Sequence, residues 1–325
     1  MKKIFKKVLD DRDFSELLKG GGISFILRFG GLTVGYLLTL VIANLFGAKG
    51  LGDYVLAIAV LRLFTLLAKL GLDTTSIRFI ASFASQDKWT SIFKFRKQVV
   101  SILSISSVVG SVLMYFLSVP ISQLINANPL YIQINAFFVL PMIFFMLHYQ
   151  SLRGLKRIAE FSFFYRMSQA LFSLISIVIL YQFFATSDIP VYAYLISVFI
   201  VSVLSFISFR YWLNKRSKGI DSAELEIMSY SDLFKISIPL MFAQSVQFIM
   251  AWTDKLMLGN MMGSEEVGIY FTVFKLSMFA SLALMAINSI ASPKFAELYG
   301  KKDFDSLKKV AHQSSKMIFL STLPL

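Results

Sequence analysis

Arg28, Arg62, Lys69 and Lys275 each lie inside a run of apolar residues long enough to form a membrane-spanning helix. A cation at the centre of such a helix costs about 2.5–3.5 kcal/mol on insertion scales, so each must face a cavity or a partner rather than lipid. Arg62 and Lys69 are seven residues apart, which on one helix is nearly the same face. Several cations around one chamber suit an anionic ligand such as a phosphate or diphosphate, which guanidinium groups grip in bidentate fashion. Structural roles compete with that reading. Lys69 and Asp73 are four apart and can form an i,i+4 ion pair, while Lys255, beside Asp254 near a helix end, can snorkel to the interface. Arg78 and Lys294 read as inner-end anchors.

An internal repeat ties these scattered charges together. Asn44 to Tyr54 (NLFGAKGLGDY) lies over Asn260 to Tyr270 (NMMGSEEVGIY), sharing N-x-x-G-x-x-x-x-G-x-Y at an offset of 216 residues. The same offset pairs Ser15–Lys19 with Ser231–Lys235, Ser76 with Ser292, Arg78 with Lys294, Phe79 with Phe295 and Asp87 with Asp303. A gapless register over roughly 75 residues identifies a duplicated unit, an organisation common among membrane transporters. It sets Lys275 over Ala59, one turn from Arg62, and Arg28 over Gln244. The two copies are thus expected to aim polar faces at a shared centre. Gly47, Gly52, Gly263 and Gly268 predict tight turns, and Tyr54 and Tyr270 suit interfacial anchoring.

The elements that must position these residues are transmembrane helices. Hydrophobic residues make up 56% of the chain, charged residues only 16%, and the mean hydropathy is +0.69, more apolar surface than a soluble domain of this length can hide. Windows of about 20 residues predict helices near 22–46, 53–84, 97–118, 129–150, 160–184, 190–212, 232–258 and 266–293, with a ninth from about 306. The connecting segments alternate in Lys and Arg, and Lys49 is the only cation on the poorer side. By the positive-inside rule the N-terminus is cytoplasmic. Residues 3–18 space Ile4, Phe5, Val8, Leu9 and Leu17 among lysines, as an amphipathic helix on the inner leaflet would. Pro141 and Pro239 are candidate kinks.

Several functions are disfavoured. The net charge of +13 is confined to short segments between apolar spans, so it does not point to nucleic acid. There is no cysteine, and His148 and His312 stand apart without carboxylate clusters, so no metal and no cofactor are expected. No Walker A loop, nucleophile elbow or H-E-x-x-H is present, and the outward segments are short. The chain does not read as an enzyme. Its energy would come from an ion gradient, the membrane potential or the substrate gradient.

The stretch NLFGAKGLGDYVLAIAVLRLFTLLAKLGLDTTSIRFIASF after a basic tail, with DKLMLGNMMGSEEVGIYFTVFKL further on, resembles the polysaccharide-repeat (Wzx-like) oligosaccharide flippases. These belong to the MOP superfamily, alongside MATE antiporters and lipid-II flippases. The resemblance implies an all-α, polytopic, two-lobe helical bundle in the bacterial inner membrane. It implies alternating-access transport of undecaprenyl-diphosphate-linked oligosaccharide, with membrane lipids, a polysaccharide polymerase and glycosyltransferases as partners. It also assigns the diphosphate to cations in the cavity, for which Arg28, Arg62 and Lys275 match best, with Lys69 and Gln244 beside them. The expected domains are an interfacial helix over 1–20, a six-helix lobe over 21–213, a cytoplasmic linker over 214–231 and an incomplete three-helix second lobe over 232–325. A second lobe mirroring the first would run about 100 residues past Leu325, so the sequence reads as truncated there. The competing readings are a MATE-like exporter of small organic molecules, a lipid-II-type flippase and, more remotely, a membrane-embedded polysaccharide enzyme. A MATE-like chamber would favour carboxylates, so the sign of the charge disfavours it.

Overall fold

A computed structural model describes residues 12–184, 186–217, 228–278 and 280–322, and every regular element among them is helical. Apolar solvent offers no partner to backbone N–H and C=O groups, so a chain this hydrophobic must satisfy them within helices. In order these are α1 (Arg12–Ala68), α2 (Leu72–Ser85), α3 (Trp89–Phe116), α4 (Ser118–Leu124), α5 (Pro129–Ala136), α6 (Val139–Gly154) and α7 (Ile158–Phe163). A π-helical turn (Phe164–Ser168) leads into α8 (Gln169–Phe183). Then come α9 (Ile189–Ser217), α10 (Tyr230–Met262), α11 (Ser264–Ser277), α12 (Ala280–Gly300) and α13 (Phe304–Thr322). Among the described residues five helices are long and apolar enough to cross a membrane, and the α5–α6 pair makes a sixth if counted as one bent span. The interfacial helix expected over 1–20 falls mostly outside the described residues, as does most of the 214–231 linker.

Bends and breaks in these helices have local causes. α1 bends at Gly47, where φ is 73°, and the arms on either side correspond to the first expected helix and the start of the second. The helix expected over 53–84 stops at Ala68 and restarts at Leu72. Leu70 and Gly71 between them hold φ of 51° and 72°, and a β-carbon on Gly71 would lie 2.2 Å from the Ser237 carbonyl oxygen of α10. The helix expected over 129–150 is bent by 55° between α5 and α6. Pro141 explains that bend: its ring conflicts with the carbonyl four residues back, at Phe137, so the chain breaks there and Pro141 sits in the first turn of α6. Pro239, by contrast, lies within an unbroken α10. The expected outer loop 118–130 contains α4, and Asn128 caps α5 by accepting from the Leu130 N–H at 2.9 Å.

Small and polar side chains join these helices, as is usual where hydrophobic burial gives no advantage between lipid and protein. Asn135 donates to the Ala57 carbonyl at 2.8 Å, Ser173 to Ser197 at 2.8 Å and Ser162 to Ser24 at 3.2 Å. Large apolar side chains such as Phe116, Phe137 and Phe183 point outward, 71–75% exposed, as a lipid-facing surface requires. The chain forms two compact units, Met1–Ile269 and Tyr270–Leu325. In the second, α12 and α13 pack on each other, with Tyr299 and Phe304 edge to face. Outside the spans, hydrogen bonds from Lys294 at 2.8 Å and Lys301 at 2.6 Å hold the Glu297 carboxyl down to about 2.

Candidate functional site

The polar residues of the first unit collect along the face where α1, α2, the π-turn, α8 and α10 meet. Arg62, half-buried on the second arm of α1, donates from Nη2 to Gln169 Oε1 on α8 at 3.3 Å. Its guanidinium carbon lies 5.5 Å from the Trp252 ring centre on α10, a cation–π contact. Tyr54, Tyr149 and Tyr194 complete the surround, with Tyr54 and Tyr194 edge to face at 5.8 Å. Its Nε is buried without an acceptor, and among the described residues no carboxylate pairs with it. The side chain is oriented by neutral groups and its charge is left available.

Lys69 is arranged differently. The residue is 7% exposed, and its ammonium meets Asp73 Oδ2 at 2.8 Å and also donates to Gln244 Oε1. Gln244 in turn donates to Thr74 Oγ1 at 2.8 Å. The pair Lys69–Asp73 spans the Leu70–Gly71 break, and Gln244 fastens it to α10. Its charge is therefore balanced within the protein, and Gln244 spends its hydrogen bonds on Lys69 and Thr74. Arg28 does not meet Gln244; it sits on the first arm of α1, half-buried, beside Arg166 of the π-turn. Lys275 belongs to the second unit, where its ammonium lies 5.2 Å from the Phe271 ring centre.

Two expectations are corrected. Lys255 does not snorkel: it is 2% exposed, and its ammonium bonds the Ala251 carbonyl and Asp254 Oδ1, both at 2.9 Å. Nor do all four motif glycines make turns. Gly47 and Gly263 do, with φ of 73° and 109°. Gly52 and Gly268 instead permit a helix crossing. A β-carbon on Gly52 would lie 1.5 Å from the Ser264 carbonyl oxygen, and one on Gly268 would lie 1.9 Å from that of Ala48. Ser264 and Ala48 are equivalent under the 216-residue offset, as are the two glycines, so the contact is reciprocal. The repeat is thus a crossing motif as well as a turn motif.

Arg166 and Gln169 escaped the sequence analysis. The signal was present, because Arg166 is a charge inside a predicted apolar helix just as Arg28 is; its partnership with α1 needed the fold. Near Arg62 an apolar cavity of about 420 Å³ opens between α1, α4 and α10, lined by residues such as Val60, Leu63, Ile125, Leu256 and Met257. His148 is a core residue stacked on Phe144 and Phe209 and tilted against Phe206, and among the described residues no three His, Asp or Glu side chains gather as metal ligands would.

Comparison with known proteins agrees with this architecture. No curated protein matches the chain. A solved structure named protein A superposes with a TM-score of 0.58 at 17% identity, covering 94% of this chain and 70% of that one. The MATE multidrug transporter DinF-BH, solved as a complex, superposes with a TM-score of 0.58 at 14% identity, covering 95% of this chain and 71% of the transporter. At such identities the likeness is one of fold. The family model described as polysaccharide biosynthesis protein matches residues 17–299, and the chain belongs to that family, the polysaccharide-repeat flippases of the MOP superfamily.

Proposed function

We propose that this protein moves an undecaprenyl-diphosphate-linked oligosaccharide from the inner to the outer leaflet of a bacterial inner membrane by alternating access, with its N-terminus cytoplasmic. The observation that carries the reading is Arg62: a half-buried guanidinium within a membrane span, oriented by Gln169 and Trp252, with no carboxylate to balance it among the described residues. Such a charge favours an anionic headgroup, and Arg28 adds a second cation on the same helix. The apolar cavity beside the second arm of α1 offers room for part of a prenyl chain next to a charged headgroup. In this scheme residues 21–213 are the first lobe, 214–231 a cytoplasmic linker and 232–325 belong to the second lobe. Lys69 and Gln244 hold the lobes in register rather than gripping the diphosphate. Polymerase and glycosyltransferases would act on either side of this step.

The test is surface polysaccharide output in cells carrying Arg28→Gln or Arg62→Gln. A hydrogen bond to a charged group is worth about 1.5–3 kcal/mol, so each change should lower transport by about 10- to 150-fold. Output at the wild-type level in both variants defeats the proposal. Resistance to organic cations that tracks the same substitutions would favour a MATE-like exporter instead.

A further inference from the structure

The span that sequence treats as one helix over 160–184 contains a π-turn at Phe164–Ser168, and Arg166 lies at its middle. Widened turns of this kind shift the direction of the side chains they carry and recur at functional sites. Here the turn is pressed against the first arm of α1. A β-carbon on Gly31 would stand 2.5 Å from the Arg166 carbonyl oxygen, the Gly30 position is 3.5 Å from Met167 Sδ, and Ser162 bonds Ser24. Arg28 is one turn before Gly31, so this packing brings two guanidinium groups together inside the membrane region.

Like charges are costly to hold side by side in a low dielectric. Arg28, Arg153 and Arg166 all contribute positive potential there, and among the described residues none has a carboxylate partner. The Nε of Arg166 is buried with no acceptor. An arginine that only snorkelled would turn its head toward water and away from another arginine. One turn further along, Gln169 holds the guanidinium of Arg62. The π-turn and the start of α8 therefore serve cations on both arms of α1, Arg28 through Arg166 and Arg62 through Gln169.

We infer that Arg166 is a binding residue for a diphosphate group, forming with Arg28 one cationic station and leaving Arg62, steered by Gln169, as a second. This rests on the proposed flippase reading and extends it to a residue on a different helix. The two phosphoryl groups of a diphosphate suit successive stations: the headgroup is taken up between Arg28 and Arg166 and passed toward Arg62. A prenyl-linked diphosphate and free pyrophosphate share this chemistry, and the experiment must separate them.

Binding of undecaprenyl diphosphate, inorganic pyrophosphate and phosphatidylglycerol would be measured on the purified full chain in lipid nanodiscs, for wild type, Arg166→Gln, Arg166→Lys, Arg28→Gln and Arg62→Gln. Thermal unfolding of each variant confirms that it is folded. The expected result is that Arg166→Gln weakens undecaprenyl diphosphate binding by about 10-fold or more, Arg166→Lys recovers part of it, and phosphatidylglycerol is unaffected. A parallel loss for pyrophosphate supports recognition of the diphosphate itself; a loss for the prenyl form alone supports the same group read together with its lipid. If Arg166→Gln binds as wild type while Arg28→Gln and Arg62→Gln lose binding, the role of Arg166 is overturned and the flippase reading survives. If all three bind as wild type, both fall. If Arg166→Gln is unfolded, the lysine variant decides: a folded Arg166→Lys that binds undecaprenyl diphosphate as wild type overturns the inference, and one that binds it more weakly while phosphatidylglycerol is unaffected supports it.

Discussion

Alanine at Gly52 is expected to abolish transport while alanine at Gly22 leaves it intact. A β-carbon at Gly52 would lie 1.5 Å from the Ser264 carbonyl oxygen, whereas one at Gly22 would meet nothing within 4 Å. Carbon and carbonyl oxygen approach no closer than about 3.3 Å, so the two helices must part. Overpacking of this kind costs about 1–3 kcal/mol even where neighbours can adjust, and here the neighbour is backbone. In an alternating-access cycle the state that closes this crossing would be lost, and Gly268→Ala, against the Ala48 carbonyl, should act the same way. The chain has no cysteine, so a pair introduced at Asp53 and Ser264, whose side chains interact, supplies the only thiols. Oxidising that pair should form a disulfide and stop transport until a reductant is added, and Gly52→Ala should cut the cross-linking yield. Normal transport by Gly52→Ala, or by the oxidised pair, would show that the crossing is not a moving contact.

Lys69→Met should be the most destabilising single change in the polar layer. It strips the partner from Asp73, which is 2% exposed and whose Oδ1 is already buried without a donor. Breaking a buried ion pair costs about 3–5 kcal/mol, chiefly through the charge left behind. Replacing both members, Lys69→Met with Asp73→Leu, should restore most of the loss, because two well-packed apolar groups have no desolvation penalty. Unfolding of the detergent-solubilised protein, followed by temperature, reads the difference. If Lys69 instead held the substrate, Lys69→Met would keep its stability and lose transport, which is the outcome that sinks this assignment.

Much of this architecture was legible beforehand because it follows from short-range rules. Hydropathy located the spans expected near 97–118, 160–184, 190–212 and 232–258, whereas among the described residues the helices expected over 266–293 and from about 306 are not long and apolar enough to count as spans. The repeat register singled out Asn44–Tyr54 and Asn260–Tyr270 as a special pair. What sequence could not supply was contact. Gly52 and Gly47 look alike in the motif, yet one permits a crossing and the other a bend, and only the position of Ser264 distinguishes them. Lys69 reads equally well as a ligand for an anion or as a partner for Asp73 until Gln244 is placed beside it. Pro141 announced a kink correctly but not its position, which a proline exerts one turn upstream. Arg166 was visible as a charge within an apolar span, but its pairing with Arg28 was not, since a π-turn leaves no hydrophobic signature and Arg28 is more than a hundred residues away in the chain.

The reciprocal packing of Gly52 on Ser264 and Gly268 on Ala48 has the form of an isologous contact, the self-complementary kind by which two identical subunits make a dimer. Here both halves are encoded on one chain, so the partner is always present at a fixed effective concentration and the contact does not depend on protein abundance. Its two halves are also geometrically coupled: separating Gly52 from Ser264 draws Gly268 away from Ala48 in the same movement. A contact built this way would part as a unit, with no half-open form.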